Sequence, residues 1–251
     1  MFGWARSLIR GTPLERPARA VWSVLRPARG EPGYLQKGRT YDRQTEEIIA
    51  RVLLPGSSAV DVGAHSGVIL ESIVNHAPGG SHWAFEPLPE FAAQLRIRFE
   101  NVRVVEVALS DHSGETTFQH VINHPGYSGL IERPYDHDDA KIEEIRVQVG
   151  ALDDFIDESE DIHFIKVDVE GGELGVLRGA QHTILRNRPY IVFEHGKRAA
   201  AAYGSTTEEI FDLLQHCGLS VSRLGDWLEG RSSLTRQEFS DGTEFMFLAH
   251  P

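Results

Sequence analysis

The segment DIHFIKVDVEGGE, residues 161–173, concentrates the groups able to do chemistry. Alternate side chains of a strand share a face, so Ile162, Phe164, Lys166, Asp168 and Glu170 form a row that turns from apolar to charged toward its carboxyl end. Burying a charge costs several kcal/mol, as an order of magnitude, unless it is paired or bound, so this end is expected to face a functional crevice. Lys166 is expected to pair with Asp168 or Glu170. The stretch IVFEH adds Glu194 and His195 at the next strand end, a carboxylate and an imidazole able to orient or deprotonate a hydroxyl. The expected catalytic set is Asp168 beside the acceptor, Lys166 organising the carboxylates, and Glu194 or His195 as base or orienter. Glu173 is either a stabiliser of the first turn of the following helix or a group that meets substrate.

A second set surrounds AVDVGAHSGVIL, where Asp61 lies in a short apolar strand and Gly63 and Gly67 follow before a helix. Glycines at a strand-to-helix turn allow close approach of a ligand. The pattern is not the GxGxxG of a dinucleotide site. An acid here would crowd a pyrophosphate but can pair with the ammonium of S-adenosylmethionine. Ala64 lies in the same turn, and His65 either donates to the ligand carboxylate or caps the helix. Glu86, in WAFEP and followed by Pro87, comes 25 residues after Asp61 and is placed to accept two ribose hydroxyls. In VALSD, Ala108 can lie under an adenine ring with Leu109 against its face, and Ser110 or Asp111 can meet the exocyclic amine.

The elements needed to hold these groups follow from hydrophobic pattern. Strands are expected at 59–63, 81–85, 102–107, 161–167 and 189–193, with helical stretches at 89–98 and 172–186 between them. Thr45 is expected to cap a helix carrying Ile48, Ile49, Val52 and Leu53. Thr206 and Glu209 have capping-box spacing before a helix that buries Cys217, and SVSRL and EFMFLAH read as closing strands, the last antiparallel at the edge. Strand and helix alternation with short apolar strands predicts a mostly parallel sheet covered on both faces. Residues 115–150 interrupt it with two extra strands around a polar stretch containing Tyr127 and Tyr135, which is either a cover over substrate or a solvated excursion. The expected organisation is a basic arm at 1–44 and one catalytic domain at 45–251.

Charge and composition narrow the partners. The chain of 251 residues carries a net charge of −12, but residues 1–30 hold six arginines and one acid, leaving −17 on the rest. An acidic body opposes a phosphate backbone, so nucleic acid is not the expected substrate. No run of about 18 apolar residues is present to span a bilayer, and a single Cys suits the reducing cytoplasm, the expected compartment. The basic arm, with Trp4, Leu8 and Ile9 beside Arg6 and Arg10, is expected to serve self-association or peripheral contact.

Taken together, VDVGAHSG, WAFEPLP, VVEVALSDHSG, LDDF, FIKVDVEGGELGVLRGA, RPYIVFE and FMFLAH resemble the FkbM family of class I methyltransferases over roughly residues 45–250. The resemblance implies a three-layer Rossmann-like α/β/α fold whose seven-stranded sheet is mostly parallel with an antiparallel last strand. It also implies S-adenosylmethionine as cofactor, S-adenosylhomocysteine as product, and a hydroxyl acceptor on a small molecule, sugar, glycolipid or natural product. By motif position Asp61, Gly63 and Gly67 belong to the methionine side, Glu86 to ribose and Ala108–Asp111 to adenine, while Lys166, Asp168, Glu170, Gly171 and Glu173 match the KxDxEGxE pattern. His65 replaces a common asparagine and Gly172 a frequent alanine. Two rivals stand beside this reading, an NAD-dependent oxidoreductase and a silent cofactor-binding module. A divalent metal on Asp168, Glu170, Glu194 and His195 is a weaker route, and no metal is expected.

Overall fold

The computed structural model describes residues 33–132 and 139–251. The expectations for the basic arm and for Tyr135 lie outside the described residues. Of two compact units, Met1–Thr40 and Tyr41–Pro251, the first is described only in the opening turns of helix α1 (Gly33–Val52). The second carries the whole sheet.

In chain order its strands are β1 (Ala59–Val62), β2 (His82–Phe85), β3 (Val102–Val105), β4 (Ala108–Leu109), β5 (Gly114–Val121), β6 (Ile142–Gly150), β7 (Phe164–Val167), β8 (Tyr190–Glu194), β9 (Ser220–Arg223) and β10 (Met246–His250). Among the described residues seven of them form one sheet in the order β3-β2-β1-β7-β8-β10-β9. Neighbours are parallel except at β10, which runs antiparallel to both β8 and β9. The last strand is therefore antiparallel but inserted, and β9 takes the edge in its place. From β1 the chain steps outward through β2 to β3, then returns to β7 on the other side of β1. This reversal opens a crevice beyond the carboxyl ends of β1 and β7, where an open α/β sheet places its ligands.

Period-two alternation explains the layers. Ala59, Phe164, Val192 and Leu248 point to one face and pack with Ile48 and Ile49 of α1, with Leu53 just after it, and with Ile73 of α2 (Val68–His76). Val60, Ile165, Ile191 and Phe247 point to the other, against Leu174 and Leu177 of α4 (Glu173–Gly179), Ile184 of α5 (Gln181–Asn187) and Ile210 and Leu214 of α7 (Thr207–His216). Helix α3 (Pro89–Arg98) closes the β2 side through Leu95. Cys217 is buried in this core, and Thr206 with Glu209 forms the expected capping box at α7. Thr45, by contrast, lies buried inside α1 and caps nothing, because the helix starts upstream at Gly33. The single helical stretch expected at 172–186 is two helices that meet at Ala180.

The 115–150 region joins β4 in a second sheet, β4-β6-β5, in which β5 pairs antiparallel with β6 along its whole length. The segment between them folds back on β5, where Gln119 and Gly129 exchange backbone hydrogen bonds and the Ser128 hydroxyl accepts from the Val121 N–H at 3.0 Å. Among the described residues no helix is long and apolar enough to cross a membrane.

Candidate active site

Register brings the first two charged groups together. Asp61 on β1 pairs with Lys166 on β7, so both side chains emerge from the face that α1 and α2 cover. They are 1% and 9% exposed, with the Lys166 ammonium 3.7 Å from the Asp61 carboxylate. The same ammonium lies 3.1 Å from Asp168 and donates to the Gly63 carbonyl at 3.1 Å. It thus ties β1 to the loop after β7. Burial opposes the Lys166 charge, yet Asp168 and Asp61 outweigh it and hold its pKa above the usual value. For Asp61 burial wins over the pull of Lys166, and its pKa rises. Neither Asp61 oxygen has a hydrogen-bond partner among the described residues. Of the two partners expected for Lys166, Asp168 is paired with it, and Asp61 is a further one.

Behind Asp168 stands Glu194, hydrogen-bonded to it. Burial, then the charges of Asp168 and Glu170, push the Glu194 carboxyl well above the carboxylate range and favour its protonated form. Burial also works against the Asp168 charge, but Lys166 and the Glu194 hydrogen bond prevail and its pKa is lowered. The result is an ionised Asp168 held between an ammonium and a carboxylic acid. Asp168, Glu170 and Glu194 offer oxygens within 4.8 Å of one another.

A cavity of about 370 Å³ opens beside these groups and is lined by Asp61, Gly63, Ala64, His65, Glu86, Pro87, Ala108, Leu109, Lys166, Asp168 and Glu170, all singled out from sequence. Glu86 is buried, and each of its oxygens already accepts one backbone N–H, from His65 at 2.8 Å and Leu88 at 2.9 Å. One acceptor position per oxygen is left toward the cavity. His65 has φ +46°, packs its ring on Phe91 at 4.2 Å, and leaves a buried Nε2 without a partner among the described residues.

Both glycines take the positive φ expected of such a turn, and Gly63 lines the cavity, but packing gives each a further reason. Gly63 has φ +73°, and a Cβ there would lie 2.0 Å from the Asp168 carbonyl oxygen. Its missing side chain makes room for the neighbouring loop, which is how Asp168 comes so near β1. A Cβ on Gly67 would meet Leu95 and Phe99 at 2.7 Å, so Gly67 serves helix packing and does not line the cavity.

Several other expected groups are turned away. His195 is 2% exposed, bonds through Nε2 to the Thr207 hydroxyl at 2.8 Å and stacks on Phe239. Strand alternation explains this, since Glu194 points to the charged face and the next residue must point to the opposite core. Burial and nearby Lys197 lower its pKa to about 4. Asp111 stays exposed, bonded to its neighbours Ser110 and His112. Tyr127 lies in a 3₁₀ turn (Pro125–Tyr127) with its ring edge toward His124, and outside the cavity lining.

Glu173 is fully buried at the first position of α4. It accepts the Gly171 N–H at 2.9 Å and the Val169 N–H at 3.3 Å. These bonds hold a loop whose Glu170 and Gly171 both take positive φ, so Glu173 braces the loop and does not face a substrate. Burial overrides those donors and raises its pKa to about 7. The native state therefore takes up this proton near pH 7, whereas an ordinary glutamate does so near 4.5. Folding stability should rise as pH falls from 8 to 6, and Glu173→Gln should show a smaller rise in midpoint temperature over that interval. An undiminished rise in the variant would assign the effect to another group.

Sequence inspection missed Asp42 of α1, Phe118 of β5, Pro125, Ser128 and Leu130 of the segment after β5, and Tyr203 after α6 (Lys197–Ala202), all of which line the cavity. None sits in a motif. Only the long 115–150 interruption signalled that part of them would come from there.

Comparison with known proteins places this geometry in context. Residues 61–221 match the model of the methyltransferase FkbM domain. The 2-O-methyltransferase NoeI of Sinorhizobium fredii is 28% identical over 188 residues, covering 67% of this chain and 75% of the relative. The AMB antimetabolite synthetase AmbE of Pseudomonas aeruginosa is 30% identical over 227 residues, covering 74% of this chain but only 11% of that much longer protein. Among solved structures, methyltransferase FkbM from Methylobacillus flagellatus aligns with a TM-score of 0.48 at 17% identity, over 82% of this chain and 50% of that one. A TehB-like SAM-dependent methyltransferase from Corynebacterium glutamicum aligns with a TM-score of 0.43 at 14% identity, over 86% and 94% of the two chains.

Proposed function

The chain belongs to the FkbM family of methyltransferases, and on that premise we propose that it methylates a hydroxyl oxygen of a small molecule, sugar or natural-product acceptor with S-adenosylmethionine as donor. The observation that carries the cofactor reading is Asp61, a buried carboxylate at the cavity wall that the Lys166 ammonium approaches only to 3.7 Å, so that neither oxygen meets a donor at full hydrogen-bond distance among the described residues. An unsatisfied buried carboxylate is costly, and an ammonium group is the ligand chemistry that would complete it. The remaining lining fits the rest of the donor. The open acceptor positions of Glu86 suit two ribose hydroxyls, Pro87, Ala108 and Leu109 supply an apolar bed for adenine, and Gly63, Ala64 and His65 face the amino-acid end. Asp111 is left out of this set because it lies outside the cavity. A pyrophosphate would meet Asp61 unfavourably, which argues against NAD.

When bound, S-adenosylmethionine supplies a methyl group on a positively charged sulfur, already activated for attack. What is asked of the protein is alignment and removal of one proton. Asp168 is the group to receive it, being ionised, partly exposed at 36% of its side chain, and on the cavity wall. Its low pKa is no obstacle, because an alcohol oxygen becomes strongly acidic as it gains a carbon. Lys166 and protonated Glu194 fix the carboxylate from two sides. His195 has no part in this chemistry, for it faces the core. The oxygen as acceptor atom is supported by the 2-O activity named for NoeI. Five carboxylates and one ammonium on the cavity wall disfavour a nucleic acid or another polyanion as acceptor, and we place the reaction in the cytoplasm. The similarity to part of AmbE favours a second setting, in which the acceptor is an intermediate or product of an antimetabolite synthetase.

Calorimetry tests the cofactor site. S-adenosylhomocysteine should bind with micromolar affinity and NAD should give no heat. Each lost charged hydrogen bond is worth about 1.5–3 kcal/mol, so Asp61→Ala with Glu86→Ala should weaken binding by roughly 100-fold or more. Unchanged binding in the double variant would sink this site. Methyl transfer to a panel of hydroxyl compounds, followed by mass spectrometry, identifies the acceptor.

A further inference from the structure

Beside Asp168 the cavity has a floor and a roof made from distant parts of the chain. The floor is the loop after β7, which carries Asp168 and Glu170 and ends at Gly172, and the roof is the segment Pro125–Leu130. Tyr203, which lines the same cavity, touches both. Its hydroxyl accepts the Leu130 N–H at 3.0 Å. A Cβ on Gly129 would lie 2.9 Å from that hydroxyl oxygen, and a Cβ on Gly172 would lie 3.3 Å from the ring carbon Cε1. Neither glycine is required by its backbone. Gly172 has φ −83°, and Gly129 is not among the glycines with positive φ. Other residues adopt such backbones freely, so the missing side chains are explained by the ring that occupies their space.

We infer that Tyr203 is a positioning residue that sets the height of the acceptor slot, its ring spacing the roof from the floor and its hydroxyl tethering the roof, so that Tyr203, Gly129 and Gly172 together select acceptors by girth. This rests on the methyl-transfer reading for the identity of the slot. The opposite side of the roof is already held to β5 by Gln119 and Ser128. Removing the tether should therefore loosen one edge without unfolding the sheet. The cofactor residues Asp61 and Glu86 lie on β1 and just after β2, outside this contact.

The test combines amide hydrogen exchange with turnover. In Tyr203→Phe saturated with S-adenosylhomocysteine, amides of residues 125–130 should exchange at least fivefold faster, while those of β1 and β7 and the affinity for S-adenosylhomocysteine stay within twofold of wild type. Gly172→Ala, which keeps the hydroxyl group but crowds the ring and so shifts the tether, should speed the same amides. Methyl and benzyl glucopyranoside serve as probes of two girths. The ratio of S-adenosylhomocysteine release with benzyl over methyl should rise at least fivefold in Tyr203→Ala. Unchanged exchange of 125–130 in Tyr203→Phe overturns the tether, as does faster exchange spread evenly over the domain. An unchanged ratio, zero in both proteins included, overturns selection by girth. Failure of the wild-type protein to bind S-adenosylhomocysteine would instead remove the methyl-transfer reading itself.

Discussion

Asp168→Asn should lower methyl transfer by about 10²–10⁴-fold, the usual contribution of a positioned general base, while binding of S-adenosylhomocysteine changes by no more than a few-fold. The amide keeps the size of the side chain and can still hydrogen-bond to Glu194, but it cannot accept the acceptor's proton. S-adenosylhomocysteine lacks the sulfonium charge, so its affinity does not report loss of the carboxylate's field. Single-turnover rates with an identified acceptor, measured beside calorimetric binding, separate the two effects. Turnover within threefold of wild type would assign the proton to another group. Lys166 and Glu194 hold Asp168 ionised through the range where an ordinary aspartate begins to protonate. Loss of activity between pH 7 and 5 should thus be no steeper than the titration of groups other than Asp168 explains.

Lys166→Met should cost about 3–5 kcal/mol of stability at pH 7, the penalty for removing one partner of a buried ion pair. Methionine replaces the stem of the lysine but leaves Asp61, 1% exposed, without a cation and Asp168 with only the Glu194 proton. The cost should shrink on acidification, and its sign follows from linkage. In the wild type the pKa of Asp168 is depressed, so its contribution is lost as pH falls toward that value. In the variant Asp168 loses the ammonium that depresses its pKa, and Asp61, already raised in the wild type, loses its one nearby cation, so both should bind protons more readily in the folded state and the variant should gain stability as pH falls. Urea denaturation at pH 7 and pH 5 should show a clear narrowing of the gap between the two proteins. A gap below about 1 kcal/mol at pH 7 would show that this pair behaves like one exposed to water.

The fates of neighbouring residues show how far pattern reaches. Asp61, Glu86, Lys166 and Asp168 were legible because each stands at the carboxyl end of an apolar strand, and charges in such places have few structural uses. Glu194 and His195 were equally visible, yet adjacency in a strand guarantees that they face opposite ways. Choosing between them required knowing which face of β8 lies beneath the crevice, and the core partners Thr207 and Phe239 that claim His195 are far away in sequence. Glu173 looked like a helix-start acid or a substrate group. Its role in bracing the strained loop at Glu170 and Gly171 depends on hydrogen bonds that form only once that turn is made.

Glycines make the same point at closer range. Their spacing after β1 marks a turn, which is a local property, but what stands where each Cβ would be is not. Gly63 accommodates the Asp168 carbonyl and Gly67 the α3 side chains, both brought in by other strands and helices. Asp42 and Tyr203 reach the cavity from α1 and from the end of α6, elements whose sequences carry no chemical motif.

Local pattern was enough for the alternation of strands and helices, the mostly parallel sheet, the cofactor-side carboxylates and the charged end of β7, because strand periodicity and the cost of buried charge operate over a few residues. The insertion of β10 between β8 and β9, the proton-sharing of Glu194 with Asp168, the exclusion of His195 and the ring of Tyr203 between two glycines arise only from packing of distant segments. Such contacts are chosen by shape and burial in three dimensions, and a linear pattern holds no trace of which distant surface will arrive.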